Sequence, residues 1–432
     1  MKIKIKEKQY SDILAVLESR KQRHKKPHKP DIIFRTLLKI VSIPDLHKTH
    51  FSYDKIGMER LGKREPALYL MNHSSFIDLE IVASMLYPKP FNIVATTDGF
   101  IGKNKLMRLI GCIPTKKFVN DTTLLKDMSY ALHELKSSVV MFPEAGYSFD
   151  GTATMLPDTL GRCAKMMGVP IVMITTHGAF SRDPLYNNLQ RRKVDVSATM
   201  EYLLSPDEIA SMSADEINAK INEKFSFDSF RWQQENHIRI AEPFRADCLN
   251  RVLYKCPSCR TEGKMLGKGS MIQCKSCGRK HFLTEYGKLV TKGGKLSFSH
   301  VPSWYAWERE EVRREIEEGS YSLDVPVDIC VAIDTKRLYH VGEGRLTHTV
   351  DGFSLVGCDG QLSYHQRPLA SYTLNSDFNW YEISDVIGIG NNDILYYCFP
   401  KDSGDIVAKT RLATEELYKI VKARRRQPAE NK

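Results

Sequence analysis

No apolar run in this 432-residue chain approaches the eighteen or so residues that a helix needs to cross a bilayer. The opening MKIKIKEKQY has no apolar core behind its charges, so no secretory signal is expected. No internal repeat is found. A disulfide framework is missing as well. Six cysteines (Cys112, Cys163, Cys248, Cys330, Cys358, Cys398) are scattered, mostly in apolar sequence, and the other four form two Cys-x-x-Cys pairs. That usage suits a reducing compartment with one metal site. Acidic excess is also lacking: the formal charge is +11 and the pI about 9.0. Such a balance admits nucleic acid, an anionic membrane surface or acidic small substrates, and does not choose among them. The length allows two or three domains, and 42% hydrophobic with 27% charged residues is the composition of a folded chain. The expected location is cytoplasmic, peripheral on the cytoplasmic face of a membrane.

Composition divides the chain into five stretches. Residues 1–50 hold a basic arm, with the cluster RKQRHKKPHK from Arg20 to Lys29, and then DIIFRTLLKIVSIP. Asp31 can cap a helix there, Ile33, Phe34, Leu37, Leu38 and Val41 recur at helical spacing, and Pro44 is expected to end it. A basic arm before an amphipathic helix suits a membrane-surface anchor; a solvated arm and a helix packed on its own domain are the plainer alternatives. Over 51–245 buried strands alternate with helices, which predicts an α/β sheet with its active residues where strands run into helices. Residues 246–298 carry the cysteine knuckles. A charged linker helix over 299–322 is expected, with Ser303 as its cap and Gly319 as its stop. Residues 323–432 are short apolar runs spaced by Gly, Asp and Asn, then one helical segment, Thr414–Lys422. This predicts a small antiparallel β domain closed by a C-terminal helix, similar in outline to pleckstrin-homology-like domains.

The stretch ALYLMNHSSFIDLE, Ala67–Glu80, organises the second region. A buried strand breaks into Asn72-His73-Ser74-Ser75, and Asp78 lies in the first turn of the helix that follows. A five-residue offset is not one helical face. His73 therefore sits in the turn and can fold back on Asp78, as a base whose second ring nitrogen is held by an acid. A histidine that merely caps the helix is the plainer reading. Further on, LIGCIPTKK turns at Gly111 and supplies Lys116 and Lys117. VVMFPEAGYSFDG ends a strand at Pro143 and makes a small-residue turn of Glu144, Ala145, Gly146 and Ser148, whose backbone N–H groups can approach an anion. The helix GRCAKMMG and the buried strand VPIVMITTHG complete the set.

In this order and at these spacings, the motifs resemble the glycerolipid acyltransferase family typified by 1-acylglycerol-3-phosphate acyltransferases, over roughly residues 55–176. Asn72–Asp78 matches the family's Asn-His-x-Ser-x-x-Asp block, and Ile110–Lys117 the second block with Lys117 in place of its arginine. Phe142-Pro143-Glu144 and Ser148 match the third block, and Val169–Val172 the fourth. The resemblance implies an α/β acyltransferase domain, a mixed sheet flanked by helices. It implies transfer of a fatty acyl group from acyl-CoA or an acyl-carrier protein to the hydroxyl of a lysophospholipid-type acceptor, with His73 as general base and Asp78 fixing its tautomer. Lys117, Lys116 and the turn at Glu144, Ala145, Gly146 and Ser148 would hold the acceptor. Two departures stand out. Ala145-Gly146-Tyr147 replaces Gly-Thr-Arg, so a bidentate phosphate contact is missing, and Met173 replaces the fourth block's second proline.

Cys256 and Cys259, then fourteen residues, then Cys274 and Cys277 read as a closed tetrahedral Zn2+ site of the ribbon type, structural rather than catalytic. His281 is expected at the surface. The competing functional reading is a zinc-ribbon protein that binds nucleic acid or lipid on a non-catalytic acyltransferase-like scaffold. Glu262 among the ribbon's basic residues, and basic runs at the chain ends instead of one stripe, weigh against nucleic acid as a partner.

Overall fold

The computed structural model describes residues 3–19, 24–117, 121–401 and 406–426, the last without its side chain. Among them no helix is long and apolar enough to cross a membrane. Strand β1 (Ile5–Glu7), helix α1 (Tyr10–Ser19) and helix α2 (Ile32–Lys48) precede a seven-stranded sheet. Its strands are β2 (Ser52–Ile56), β3 (Leu68–Met71), β4 (Phe91–Thr96), β5 (Cys112–Thr115), β6 (Ser138–Met141), β7 (Ile171–His177) and β8 (Ser197–Leu204). Their order is β2-β8-β7-β3-β6-β4-β5. From β7 to β5 all neighbours are parallel, while β8 runs antiparallel to β7 and parallel to β2, so the sheet is mixed.

Central strand β3 shows why its sequence is unbroken in apolar residues: both of its faces are covered. Leu68 and Leu70 enter the core under helices α4 (Thr122–His133) and α5 (Leu160–Met167). Tyr69 and Met71 enter the opposite core with Ile81 and Val82 of helix α3 (Ile77–Leu86). This is the period-two alternation of a strand buried on two sides.

Four short strands, β9 (Met265–Lys268), β10 (Met271–Cys274), β11 (Lys280–Leu283) and β12 (Leu289–Val290), form the cysteine-bearing sheet. Helix α6 (Val301–Glu317) leads to strands β13 (Leu323–Ala332), β14 (Leu338–Thr349), β15 (Gly352–Gly357), β16 (Leu362–Gln366), β17 (Asn375–Trp380), β18 (Ser384–Gly390) and β19 (Leu395–Pro400). These are antiparallel neighbours in the order β16-β15-β14-β13-β19-β18-β17, and helix α7 (Ile406–Arg426), longer than the predicted segment, closes them.

Several expectations are revised. The N-terminal residues are not a solvated arm: β1 adds a parallel strand to β14, with Ile5 opposite Leu338, and Tyr10 and Ile13 are buried. The Tyr10 hydroxyl meets that of Tyr396 at 2.9 Å. Within the basic cluster, residues 20–23 lie outside the described residues. Beyond them, His24 bonds Asp127 at 3.0 Å and Lys26 lies over the Tyr130 ring, so this stretch runs along the sheet domain. Asp31 caps α2 as expected, its carboxylate accepting from the Ile33 N–H at 2.9 Å. The helix nevertheless continues through Pro44 to Lys48. Proline removes the bond to the carbonyl of Ile40, which lies on the exposed side, where water can replace the lost donor. Ser303 is not the cap of α6; His300 occupies that position and Pro302 sits in the first turn, where its missing N–H costs nothing. His281 is 1% exposed and packs edge-on against Trp304, not at the surface.

Candidate active site

The site forms at the carboxyl ends of the parallel strands. His73 follows β3, Glu144 follows the adjacent β6, and Lys116 and Lys117 follow β5. Asn72 pins the first loop: its Oδ1 accepts from the Thr176 N–H of β7 at 2.8 Å, and its amide reaches Ser74 Oγ at 3.2 Å. The chain then folds back as predicted. His73 Nδ1 lies 3.0 Å from Asp78 Oδ2, which also accepts the N–H groups of Ser74 at 2.8 Å and Ser75 at 3.0 Å. A carboxylate that already accepts two backbone donors takes its third hydrogen from Nδ1. Nε2 is then left as a proton acceptor. Asp78 is 1% exposed and His73 22%, so the acid is shielded while the base keeps an open edge.

Two aromatic rings fix the imidazole plane. Phe142 lies 4.2 Å and Tyr147 4.1 Å from it, centroid to centroid. Tyr147 was noted in the sequence only for the arginine it replaces; its packing on His73 had no local signal. Glu144 is fully buried. Its Oε2 accepts the His73 N–H at 2.8 Å, and its Oε1 accepts the Thr154 N–H at 2.8 Å and hydroxyl at 3.1 Å. The carboxylate therefore ties the loop after β3 to the loop after β6. Ala145 adopts φ +54°, the left-handed turn where the resemblance has glycine, at a cost of roughly 1–2 kcal/mol. A Cβ added at Gly146 would meet nothing within 4 Å, so the turn is open on that side. Ser148 donates to the Thr152 carbonyl at 2.6 Å and accepts from Gly151 at 2.9 Å, which closes the turn.

The lysines lie apart from this cluster. β5 is three strand spacings from β3, about 14 Å, so Lys116 and Lys117 mark the far side of the site.

Residues 53–176 match the sequence model of the acyltransferase family. That stretch is an acyltransferase domain. A solved structure, the 1-acyl-sn-glycerophosphate acyltransferase PlsC from Thermotoga maritima, is similar at 14% identity, over 50% of this chain and 85% of that one, with a TM-score of 0.37. Comparison with curated proteins gives no sequence match. The acyltransferase domain therefore contains both the His73–Asp78 pair and the Glu144 turn.

Burial outweighs the three donors on Glu144 and pushes its carboxyl up to about 7, from an ordinary 4.5. The folded state thus holds this proton more tightly than the unfolded chain. Its contribution is fully present below pH 4.5 and is lost as pH rises through 7. Unfolding free energy should fall across that window by roughly 3 kcal/mol more in the native protein than in Glu144→Gln. Chemical denaturation from pH 4.5 to 7.5 measures it; equal slopes would show that Glu144 is not the titrating group.

Away from this site, the Sγ atoms of Cys256, Cys259, Cys274 and Cys277 all lie within 4.8 Å of one another. Cys256–Cys277 is 3.7 Å and Cys259–Cys274 3.6 Å. Four sulfurs at about 2.3 Å from one Zn2+ would stand about 3.8 Å apart in a tetrahedron, so the cluster fits that ion. Positive φ at Arg260 and Gly278 makes the tight knuckle turns.

Proposed function

We propose that the chain is a peripheral membrane O-acyltransferase. It moves a fatty acyl group from acyl-CoA or an acyl-carrier protein to a hydroxyl of 1-acylglycerol-3-phosphate or a related lysolipid in phospholipid synthesis. The observation that carries this reading is the His73 Nδ1–Asp78 contact of 3.0 Å inside an acyltransferase domain. The acceptor hydroxyl attacks the thioester carbonyl as His73 Nε2 takes its proton. Asp78 stabilises the imidazolium that forms. The C–S bond then breaks, and the departing thiolate receives the proton from His73. The test is incubation of the purified chain with labelled acyl thioester and a panel of lysolipids. Label must appear in a lipid, and no labelled lipid from any acceptor would overturn the reading. The cysteine cluster, on the same reading, holds a structural Zn2+ through four thiolates.

Helix α2 supports the membrane surface as a partner. It packs against α3 and the turn after it: Lys39 donates to the Ser84 hydroxyl of α3, Arg35 to the Pro88 carbonyl, Thr36 meets the Tyr87 hydroxyl at 3.4 Å, and Leu38 and Leu46 join the core beneath α3. A second apolar row points outward, with Ile33 72%, Leu37 52%, Ile40 56% and Val41 62% exposed. Phe76, at the start of α3 beside the catalytic loop, is 60% exposed. An exposed row of this kind needs an apolar medium to cover it. Each such side chain contributes about 1.5–3 kcal/mol when buried. Leu37→Asp with Val41→Asp should therefore weaken binding to anionic phospholipid vesicles by about 100-fold or more in flotation assays. Unchanged flotation would sink the anchor assignment. Two of the ribbon's cations are already engaged, Lys255 with Glu262 and Glu315 at 3.0 Å and Arg260 with Glu311, which weighs against nucleic-acid binding there.

A further inference from the structure

The loop that carries His73 is braced from both neighbouring strands. Strand β6 lies on one side of β3 and supplies Glu144, which takes the His73 N–H. The loop after β6 is held in turn by the C-terminal domain: Arg411 of α7 donates to the Tyr147 carbonyl at 3.1 Å, and Phe378 of β17 packs on Phe149 with ring centroids 4.3 Å apart. Strand β7 lies on the other side of β3, and the segment after it reaches the same catalytic loop. That segment leaves β7 at Gly178, at φ +79°, where an added Cβ would stand 2.3 Å from the Asp195 carbonyl oxygen. One short helical turn later come Arg182 and Asp183, both 3% exposed.

A buried run of ion pairs and hydrogen bonds meets there. The Ser75 hydroxyl donates to Asp183 Oδ1. Arg182 Nη1 donates to Asp183 Oδ2 at 2.9 Å, and its Nη2 donates to Asp45 Oδ2 of α2 at 2.6 Å. Arg191 holds the other oxygen of Asp45 at 3.2 Å. Both oxygens of Asp183 are therefore committed, and Arg182 is fixed between two carboxylates. Ser75, 1% exposed, joins the run to the catalytic pair: its N–H donates at 3.0 Å to Asp78 Oδ2, the oxygen that holds His73 Nδ1. Its Oγ also accepts the Ile77 N–H at 3.3 Å, at the start of α3.

Capping the start of α3 needs only the Ser75 hydroxyl. It does not call for a carboxylate behind that hydroxyl, nor for a guanidinium buried with the carboxylate. Desolvating such a pair costs about as much as its attraction returns, so stability alone gives no reason for it. What the pair supplies is direction. The Ser75 hydroxyl must point at one fixed oxygen, and this sets where the same residue's N–H meets Asp78. Burial raises the Asp183 carboxyl to about 6, against the donors from Ser75 and Arg182, so it stays largely ionised near neutral pH. Ser75 and Asp183 are 108 residues apart, and no local pattern in the sequence announced the contact.

We infer that Asp183 is a positioning residue for acyl transfer, acting through Ser75 to hold Asp78 on His73 Nδ1, with Arg182 as its fixed counter-ion. This deepens the acyl-transfer reading and rests on it.

The experiment uses the full chain with labelled acyl-CoA and labelled acyl-carrier protein as donors. The acceptors are 1-acylglycerol-3-phosphate, 1-acylglycerophosphoglycerol and 1-acylglycerophosphoethanolamine, and rates are read on the one that takes most label. Asp183→Ala should lower kcat by about 10–100-fold, with KM for either substrate changed by less than about threefold. Asp183→Asn should recover most of that loss, because its amide can accept from Arg182 through Oδ1 and donate to Ser75 Oγ through Nδ2. In histidine-labelled protein the His73 Nδ1 proton is assigned by its absence in His73→Ala. Its NMR signal should broaden or vanish in Asp183→Ala and persist in Asp183→Asn. Tm is followed in parallel. Should Asp183→Ala fail to fold, Ser75→Ala decides: it leaves the Arg182–Asp183 pair intact and should lower kcat by about tenfold or more. Folded variants that match wild type in kcat and in the His73 Nδ1 signal, with only Tm lowered, would reduce Asp183 to packing and overturn the inference while leaving acyl transfer intact. Label in no lipid from the wild-type chain overturns the acyl-transfer reading itself, and this inference with it.

Discussion

His73→Ala should lower kcat for the proposed acyl transfer by about 10²–10⁴-fold, the usual worth of a positioned general base, with little change in the affinity for either substrate. The size follows from the geometry. A lysolipid hydroxyl is a poor nucleophile until its proton has somewhere to go, and Nε2 of His73 is the acceptor left once Nδ1 is committed to Asp78 at 3.0 Å. Asp78→Asn should cost nearly as much by a different route. The amide oxygen can still accept from the Ser74 and Ser75 N–H groups, but neutral asparagine no longer stabilises the imidazolium. Asp78→Asn should melt close to wild type, because the Phe142 and Tyr147 rings stay packed on the His73 imidazole. Steady-state kinetics with labelled thioester separates kcat from KM. Full activity in both variants would remove the pair from the mechanism.

Stripping the metal, or Cys256→Ser, should unfold the ribbon and carry its neighbours with it. A small sheet such as β9–β12 has few apolar residues of its own; Met265, Ile272, Leu283 and Leu289 are buried only within a core shared with α6 and the C-terminal sheet. Structural Zn2+ in such modules contributes about 10–16 kcal/mol of apparent binding energy, and this is folding energy. The ribbon also anchors α6. Trp304 donates its indole N–H to the Lys255 carbonyl at 3.0 Å, and Glu308 accepts the Lys255 N–H at 2.7 Å. Loss of the ion should therefore release α6 and loosen the C-terminal sheet from the active-site loops, so acyl transfer falls along with stability. We expect one Zn2+ per chain by elemental analysis and a Tm lowered by more than about 10 °C after chelation. An unchanged Tm in protein whose four thiols all titrate as free would show that no metal stabilises the fold.

The division between what could be read locally and what could not follows contact range. His73 and Asp78 are five residues apart, so one strand end and one helix start suffice to bring them together. The Cys-x-x-Cys pairs are likewise local knuckles, and their convergence needs only one hairpin. Helix α2 was legible as amphipathic, but its orientation was not: periodicity gives the stripe, and only α3 with the Tyr87–Pro88 turn after it, which together bond Lys39, Thr36 and Arg35, decides which side faces out. His281 was misplaced for the same reason, since burial under Trp304 depends on where α6 lies.

By itself, then, the chain's sequence determined the strand–loop–helix units, the residues within each acyltransferase motif and the paired Cys-x-x-Cys knuckles, because each depends on periodicity or spacing within about twenty residues. Tertiary structure alone decided the rest: Glu144 joining two loops through a 71-residue separation, Tyr147 covering His73, and β1 completing a sheet some 330 residues away. Those contacts are set by which surfaces pack, and no local pattern of residues encodes the partner that a distant element will present.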